Sequence, residues 1–349
     1  MAGRRIMVVG AGITGLTVAH RLVVDHPHLD VTILEASTVT GGKLRTTPLA
    51  GLGIDIDEGA DAFLVRVPWA TDLCAELGLS DGLVAPSARG ASLWLDGRLR
   101  PIPSPNVLGV PLDPATVAPG LLPDADLERL AGAGRPDVPL PAGDLSVGRG
   151  IRACVGDTVF DRLVDPLIGG VNAGRADDLS CTTMAPGLLA ASRNPDGLLA
   201  TLRHASLKTD PTAPVFNTPR AGMGRLVGEL TSRLGDRIRT GVEVTRIERA
   251  DSGWVVCSTD GTTAAVDAVV LAPPAHVAAT LVAPHAPEAA SVLGGLRHAS
   301  VVVATMAWRR SDLEVPGDQS GFLVGRGEGL LMTACSFAGS KWAHLDDPD

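Results

Sequence analysis

The stretch IMVVGAGITGLTVAHRL, Ile6–Leu22, decides the fold of this chain. Its first four residues form an apolar run that is typical of a buried parallel strand. Gly10, Gly12 and Gly15 follow in GxGxxG spacing, in which the first glycine permits a tight turn, the second lets the backbone approach a pyrophosphate, and the third lets helix and strand pack closely. The pattern therefore predicts a strand, a turn and a helix whose free N–H groups point at phosphates.

An acidic residue supports a dinucleotide site at this turn. The next apolar run, VTILEA, predicts a second strand that contains Glu35, about 20 residues after Gly15, the offset expected for an acid that binds a ribose hydroxyl. A glycine turn in an ordinary βαβ unit is the alternative, but the two strands, the helix and the acid together favour a dinucleotide. These features do not distinguish FAD from NAD, because both ligands contain ADP.

Two later glycine-containing stretches favour FAD. GGKLRTT, Gly41–Thr47, has adjacent glycines that let the chain pass close to a ligand, and Lys43 can place a cation near phosphate. DEGADAFL, Asp57–Leu64, adds another glycine beside a turn. A plain loop or a solvated lysine would explain either stretch alone, whereas three successive approaches suit a long, extended cofactor.

The composition limits the class of protein. The chain has 349 residues, enough for about two domains, and its 45% hydrophobic and 20% charged residues are typical of a globular protein. A net charge of −9 argues against a nucleic-acid partner. Five scattered cysteines favour reduced thiols and a cytoplasmic location, and eight histidines without ligand spacing predict no metal site. No apolar run is long enough for a membrane span, and no signal peptide is expected.

The remaining elements follow from local patterns. Pro101–Gly143 is rich in proline and glycine, and we interpret it as irregular with one helical turn near Leu127–Leu130; a surface loop is favoured there over a peripheral membrane contact. Gly156–Gly174 is predicted to be helical to about Asp165 and glycine-rich beyond it. The other predictions are helices at 68–79 and 221–236, a hairpin at 91–103 with an Asp96–Gly97 turn, a β-hairpin or meander from 242, a strand at 266–275, and strands at 300–308 and 329–337.

These motifs together resemble the bacterial FAD-dependent porphyrinogen oxidases, the group with protoporphyrinogen oxidase and Gram-positive coproporphyrinogen III oxidase. VVGAGITGLTVAHRL, and LEAS with GGKLRT, are shared across the amine-oxidase-like flavoprotein superfamily. DEGADAFL also takes part in the resemblance. LWLDGRLRPIPSPNVLGVP, VDPLIGGVNAGRADDLS and GSKWAH are much narrower and are similar to the porphyrinogen branch. The resemblance covers nearly the whole chain.

The resemblance implies a fold and a set of site residues. We predict an α/β (α+β overall) chain with a Rossmann-like FAD-binding domain at 1–85 and 218–290. A substrate domain of mixed helices and antiparallel sheet is predicted at 86–217 and 291–349. Arg66 matches a basic position near the substrate mouth. The implied FAD contacts are Gly10, Ala11, Gly12, Ile13, Thr14, Gly15, Glu35, Ala36, Gly42, Lys43, Gly59, Ala60, Asp61 and Val244.

The chain departs from the family pattern at three places. Ala60 stands where the family has proline after Gly59, and Asn172 replaces a usual tyrosine. The family also continues past the KW motif with further strands and a glycine-rich segment near the flavin, whereas this chain stops at Asp349, so a C-terminal truncation is expected.

The implied reaction is a step of haem biosynthesis. A porphyrinogen, coproporphyrinogen III or protoporphyrinogen IX, would be dehydrogenated in three rounds to a porphyrin, with FAD taking two electrons each time and dioxygen becoming hydrogen peroxide. Arg66, Arg89, Arg98 and Arg100 are candidates for gripping propionates, or they are solvated surface arginines. We identify no acid–base residue.

Three further points stay open on the sequence. Coproporphyrinogen is favoured because no membrane anchor is seen and the tetracarboxylate dissolves in water. Another flavin oxidase, such as an amine oxidase or a desaturase, is an alternative, as is an inactive flavoprotein that only binds porphyrin or a partner. The sequence does not indicate the oligomeric state.

Overall fold

The computed structural model describes residues 3–88, 90–132, 134–207, 210, 213–315 and 318–345. The chain divides into two compact units: unit 1 comprises Met1–Ala85 and Val215–Met306, and unit 2 comprises Pro86–Pro214 and Ala307–Asp349. These units differ from the predicted domains mainly at residues 291–306, which lie in unit 1 because a helix that begins at Pro287 packs on the preceding helix of that unit.

The strands follow in chain order. They are β1 Arg5–Val9, β2 Asp30–Glu35, β3 Thr46–Leu49, β4 Ile54–Asp57, β5 Phe63–Leu64, β6 Leu83–Val84, β7 Gly90–Leu95, β8 Arg98–Pro101, β9 Asn106–Val107, β10 Val110–Pro111, β11 Phe216–Pro219, β12 Ile238–Thr240, β13 Val244–Arg249, β14 Trp254–Ser258, β15 Thr263–Val266, β16 Ala268–Leu271, β17 Gln319–Val324 and β18 Ala334–Ser336.

The α-helices lie between these strands. They are α1 Ile13–Asp25, α2 Trp69–Glu76, α3 Asp124–Ala131, α4 Val147–Val155, α5 Asp157–Val159, α6 Asp165–Asn172, α7 Cys181–Met184, α8 Pro186–Ser192, α9 Leu198–Ser206, α10 Gly224–Leu234, α11 Ala275–Val282, α12 Pro287–Gly295 and α13 Ala338–Lys341. Within the part of the chain that the structure describes, none of the helices has the length and apolar character needed to cross a bilayer.

A four-stranded parallel sheet with the order β12-β2-β1-β16 forms the centre of unit 1. Alternation along β1 sends Val8 to one face and Met7 and Val9 to the other. On the Val8 face the sheet packs against α1, α2 and α10, and on the opposite face it packs against the β13–β15 meander and α11. Both faces are therefore covered, as parallel sheets require.

Unit 2 combines a sheet with a large helical core. Its four-stranded sheet has the order β18-β17-β7-β8, in which β7 and β17 are parallel and the other two pairings are antiparallel. The core is contributed mainly by α4, α8, α9 and the helical segment that contains Phe160. The Asp96–Gly97 hairpin is confirmed, with φ of 55° and 71° at the two turn residues, as a type I′ turn requires.

The predicted end of a helix near Asp165 is wrong. Helical structure continues from α5 through a π-helical turn, Phe160–Val164, and through α6 to Asn172. The two glycines of α6 serve packing rather than a loop: a Cβ on Gly170 would lie 2.7 Å from Leu323 of β17, and one on Gly169 would lie 2.9 Å from Arg326. Tertiary contact therefore overrides the low helix propensity of glycine.

The predicted strand at 300–308 is also wrong. Residues 297–309 carry no strand assignment, although Val303 and Thr305 line a cavity of about 380 Å³ beside the β3–β4 hairpin. Val302 is 93% exposed, so the β-branched residues of this segment find no ladder partner among the described residues. The second predicted strand, at 329–337, is present only as β18.

The burial of the cysteines gives a first testable prediction. Cys154 has no exposed surface, and burial raises the pKa of its thiol to about 11. At pH 8 about one in a thousand Cys154 side chains is therefore a thiolate, the reactive form. We expect iodoacetamide to alkylate Cys154 at least about 100-fold more slowly than the partly exposed Cys335, measured by peptide mass spectrometry.

Alkylation in urea is the control, because unfolding should make the two rates similar. Equal rates in the native protein would contradict the burial of Cys154.

Candidate functional site

The turn after β1 has no space for a side chain at Gly10 or at Gly15. Gly10 has a φ of +98°, and its N–H donates to the Leu34 carbonyl oxygen at 2.8 Å. A Cβ on Gly10 would lie 3.0 Å from the Ala272 oxygen, and one on Gly15 would collide with the Gly10 carbonyl oxygen. The structure thus gives the first and third glycines of the motif the turn and packing roles that the sequence predicts.

Gly12 differs from its two neighbours because its side-chain position is open. A Cβ there would meet no atom within 4 Å, and Gly12 caps α1 without any side-chain hydrogen bond. The first N–H groups of α1, including those of Ile13 and Thr14, begin at this open position. An uncapped helix N-terminus beside a surface without side chains fits a pyrophosphate.

The second glycine stretch lies against the first. The Gly41 N–H donates to the Ala11 carbonyl oxygen at 2.8 Å, and Gly12 and Gly41 form an isolated parallel bridge. A Cβ on Gly42 would lie 3.2 Å from the Gly12 Cα atom. The predicted series of glycines is thereby brought together around the Gly12 position.

Glu35 is fixed at the end of β2 by backbone donors. Its Oε2 accepts from the Ala11 N–H at 2.6 Å, and its Oε1 accepts from the Ser37 N–H at 2.8 Å. Ala36, which lies between Glu35 and Ser37 in the sequence, is exposed. A carboxylate has about four lone-pair sites, so two remain for a ligand such as a ribose diol.

Val244 follows a segment that runs beside Glu35. The Val242 N–H donates to the Glu35 carbonyl oxygen at 2.9 Å, and the Gly241 N–H donates to that of Ser37 at 2.8 Å. The Val244 side chain itself is 6% exposed and packs in the core with Met7. The backbone of residues 241–242 therefore lies beside Glu35, where the adenine end of the cofactor is predicted. The Val244 side chain is buried in the core and holds this segment in place.

The β3–β4 hairpin joins the second and third glycine stretches. A Cβ on Gly59 would lie 2.9 Å from the Lys43 carbonyl oxygen, so the residues around Gly59, Ala60 and Asp61 adjoin Lys43. Lys43, Gly59 and Ala60 are exposed, and Asp61 is half-buried. Most of the predicted cofactor contacts thus expose atoms at the surface of unit 1, whereas Ala11, Gly15 and the Val244 side chain are buried.

Sequence reasoning missed two side chains that hold this hairpin in place. The Met223 N–H donates to the Asp57 carboxylate at 3.0 and 3.1 Å, and the Gly224 N–H donates to the Thr46 hydroxyl at 2.7 Å. The Thr46 hydroxyl in turn donates to Asp57. These residues cap α10 from the hairpin, a contact across 166 positions of sequence that no local pattern indicates.

The four candidate arginines have different surroundings. Arg66 and Arg98 are exposed, and Arg89 lies outside the described residues. Arg100 is only 9% exposed and lies 3.7 Å from Asp96, the turn residue that Arg162 also contacts. The hydrogen bond from Arg162 is the main reason that the pKa of Asp96 lies below its usual value. Arg100 is thus largely buried beside the hairpin turn.

Known proteins are similar to this chain in sequence. A model of the flavin containing amine oxidoreductase family matches residues 13–348. Coproporphyrinogen III oxidase of Mycobacterium leprae is 33% identical over 351 residues, covering 99% of this chain and 76% of the relative. The enzyme of the same name from Bacillus subtilis is 29% identical and covers 98% and 74%.

Solved structures agree with these relatives. The crystal structure of a protein provisionally assigned as a protoporphyrinogen oxidase, from Exiguobacterium sp. 255-15, has a TM-score of 0.82 at 27% identity. It covers 99% of this chain, which spans 75% of that structure. Putrescine oxidase, with a TM-score of 0.54 and 18% identity, shows a similar fold.

The open position at Gly12 gives a prediction that separates folding from binding. In Gly12→Val the isopropyl group is attached at an open position, where a Cβ meets no protein atom within 4 Å, so the melting temperature should stay within a few degrees of the wild type. The same group fills the surface that we assign to the pyrophosphate, and we expect the Kd for FAD to rise about 10–100-fold, as for about 1–3 kcal/mol of steric conflict. Quenching of FAD fluorescence measures the Kd, and circular dichroism measures the melting.

Two matched glycine variants serve as controls. A Cβ on Gly228, within α10, also meets no atom within 4 Å, so Gly228→Ala should fold and bind FAD normally. Gly15→Val should prevent folding, because its side chain has no space against Gly10. Normal FAD affinity in Gly12→Val would show that the pyrophosphate lies elsewhere.

Proposed function

This chain belongs to the flavin containing amine oxidoreductase family, and from that premise we propose that it oxidises coproporphyrinogen III to coproporphyrin III. Its cofactor is FAD, as in that family. The observation that carries the substrate proposal is the similarity to coproporphyrinogen III oxidases along 99% of this chain, which includes both units. Unit 2 is part of that match, so the likeness extends beyond the dinucleotide-binding residues.

Each group of residues has a defined role in holding the cofactor. Gly12 leaves space for the pyrophosphate, and the N–H groups of Ile13 and Thr14 meet its charge. Glu35, already oriented by two backbone donors, accepts hydrogen bonds from the ribose. Lys43 is exposed beside Gly59 and adds positive charge near phosphate. When bound, FAD supplies two-electron oxidation chemistry.

The proposed reaction balances as three dehydrogenations. Each round removes two electrons and two protons from the porphyrinogen, and one dioxygen takes them up as hydrogen peroxide. What the chain's residues must do is orient a methylene carbon and exclude water. We place this reaction in the cytoplasm, because all five cysteines are free, as is usual in a reducing compartment.

Substrate carboxylates require local positive charge in a protein of net charge −9. Arg66 is exposed and follows directly on the segment 59–61 that we assign to the cofactor. A guanidinium binds a carboxylate through two parallel hydrogen bonds, which is why arginine suits a propionate. We therefore assign Arg66 to substrate binding.

A direct assay tests the reaction. The purified chain, incubated with FAD, is given coproporphyrinogen III in air, and the porphyrin is followed by its fluorescence while peroxide is measured separately. We expect porphyrin formation with about three peroxides per porphyrin, as three two-electron rounds require. Protoporphyrinogen IX is the second candidate substrate, because the Exiguobacterium structure carries that assignment.

The outcomes of this assay are distinct. Faster turnover of protoporphyrinogen IX would reassign the substrate, and oxidation of amines alone would place the chain elsewhere in the family. Bound FAD and porphyrin without turnover would indicate a flavoprotein that only binds, and would contradict the proposed reaction.

Arg66→Ala gives a prediction for substrate binding. Loss of one exposed, charge-assisted carboxylate contact should raise the KM for coproporphyrinogen III about tenfold and leave kcat within about twofold, since the contact is made equally in ground and transition states. Arg233→Ala removes another exposed arginine of unit 1, from α10, and should change neither constant. An unchanged KM in Arg66→Ala would exclude this residue from the substrate site.

A further inference from the structure

We propose that the macrocycle of the porphyrin substrate rests on an exposed apolar patch of unit 1, formed by Leu64, Val67, Trp69, Val215 and Phe216. Trp69 and Phe216 would stack on the pyrrole rings, and the exposed Arg66, between Leu64 and Val67 in the sequence, would hold a propionate at the edge of the macrocycle. This inference rests on the proposed function and adds the surface that recognises the apolar part of the substrate.

The patch is formed by two chain segments that pair with each other. Leu64 of β5 and Phe216 of β11 are direct partners in an antiparallel ladder, so their side chains share one face. The Val65 N–H donates to the Val215 carbonyl oxygen at 3.1 Å, which extends the pairing by one step. Val67 and Trp69 follow along the same chain, where α2 begins.

The exposure of these five side chains is unusual when they are taken together. They are 48%, 41%, 76%, 44% and 38% exposed, in chain order. Single exposed apolar residues are ordinary on a protein surface, but five of them on two paired segments, with a tryptophan among them, favour a binding surface. Trp69 is also one of only ten Phe and Trp residues in the chain, which contains no tyrosine.

The patch has a rigid support. Phe63, next to Leu64, turns inward and packs on the core that also contains Leu73 and Cys74 of α2. The strand β5 and the start of α2 are thereby fixed to the central sheet of unit 1. A fixed apolar platform suits an inflexible macrocycle, because little conformational entropy is lost when it binds.

Charge favours a porphyrin over a lipid surface as the occupant. Peripheral attachment to anionic membranes depends on several basic residues around the apolar side chains. Residues 61–72 contribute one cation, Arg66, and two acids, Asp61 and Asp72, in a chain of net charge −9. One arginine beside an aromatic platform instead matches a ligand with an apolar ring system and carboxylates at its edge.

The position of the patch along the chain supports the same occupant. The segment 59–61, which we assign to the cofactor, leads directly into β5 and Arg66. A substrate on this surface would therefore be held by the same continuous segment as the cofactor that oxidises it. No lipid or protein partner would require that continuity.

Porphyrin binding tests the proposal without turnover. Coproporphyrin III, the oxidised product, is titrated against the full chain, and the change in porphyrin fluorescence anisotropy gives the Kd. We expect Trp69→Ala to raise this Kd about tenfold and Trp69→Phe, which keeps an aromatic ring, to raise it no more than about threefold. Trp308→Ala is the matched control, because Trp308 is exposed as well, at 57%, but lies outside the patch.

Melting temperatures should be unchanged in all three variants, since both tryptophans are exposed. An unchanged Kd in Trp69→Ala, with wild-type oxidation of coproporphyrinogen III, would overturn this inference and leave the proposed function intact. Wild-type protein that neither binds coproporphyrin III nor oxidises its porphyrinogen would remove both. Sedimentation with phosphatidylglycerol vesicles that Trp69→Ala abolishes, without any effect on porphyrin binding, would make the patch a membrane contact instead.

Discussion

The contact between the backbones of Gly10 and Gly15 is the constraint on which unit 1 depends. Because neither residue has a side chain, α1 begins directly against the end of β1, with Ala272 after β16 completing the contact. In the sheet order β12-β2-β1-β16, the chain leaves β1 toward β2 on one side, while β16 flanks it on the other. Ligands of open α/β sheets bind at such a point, outside the carboxyl ends of the strands.

The same constraint explains how one unit is assembled from two distant parts of the chain. The sheet takes β1 and β2 from before unit 2 and β12 and β16 from after it, so neither part completes the sheet alone. Asp57 and Thr46 reinforce this arrangement by capping α10, whose other face packs in the core beneath the sheet. The position of the third glycine stretch is therefore tied to a helix far away in sequence.

Local patterns predicted what local chemistry determines. The β1–α1 turn and the Asp96–Gly97 hairpin depend mainly on the glycines and neighbours within a few residues, and both were recognisable. The helix through Gly169–Gly170 was not, because its glycines fit against β17, which begins about 150 residues later. The β-branched run at 300–308 failed for the opposite reason: strand propensity forms a strand only where a partner edge is available.

The distribution of arginine partners explains why Arg66 is suited to an anionic substrate. In unit 2, Arg152 contacts three aspartates, and Arg100 and Arg162 share Asp96, so each of these cations has an acidic partner within the fold. Arg66 instead lies exposed among apolar side chains, where its guanidinium is accessible to a carboxylate ligand. Charges further than a Debye length of about 8–10 Å from the binding surface are largely screened. A protein with a negative net charge can therefore still attract a polycarboxylate where the nearby charge is positive.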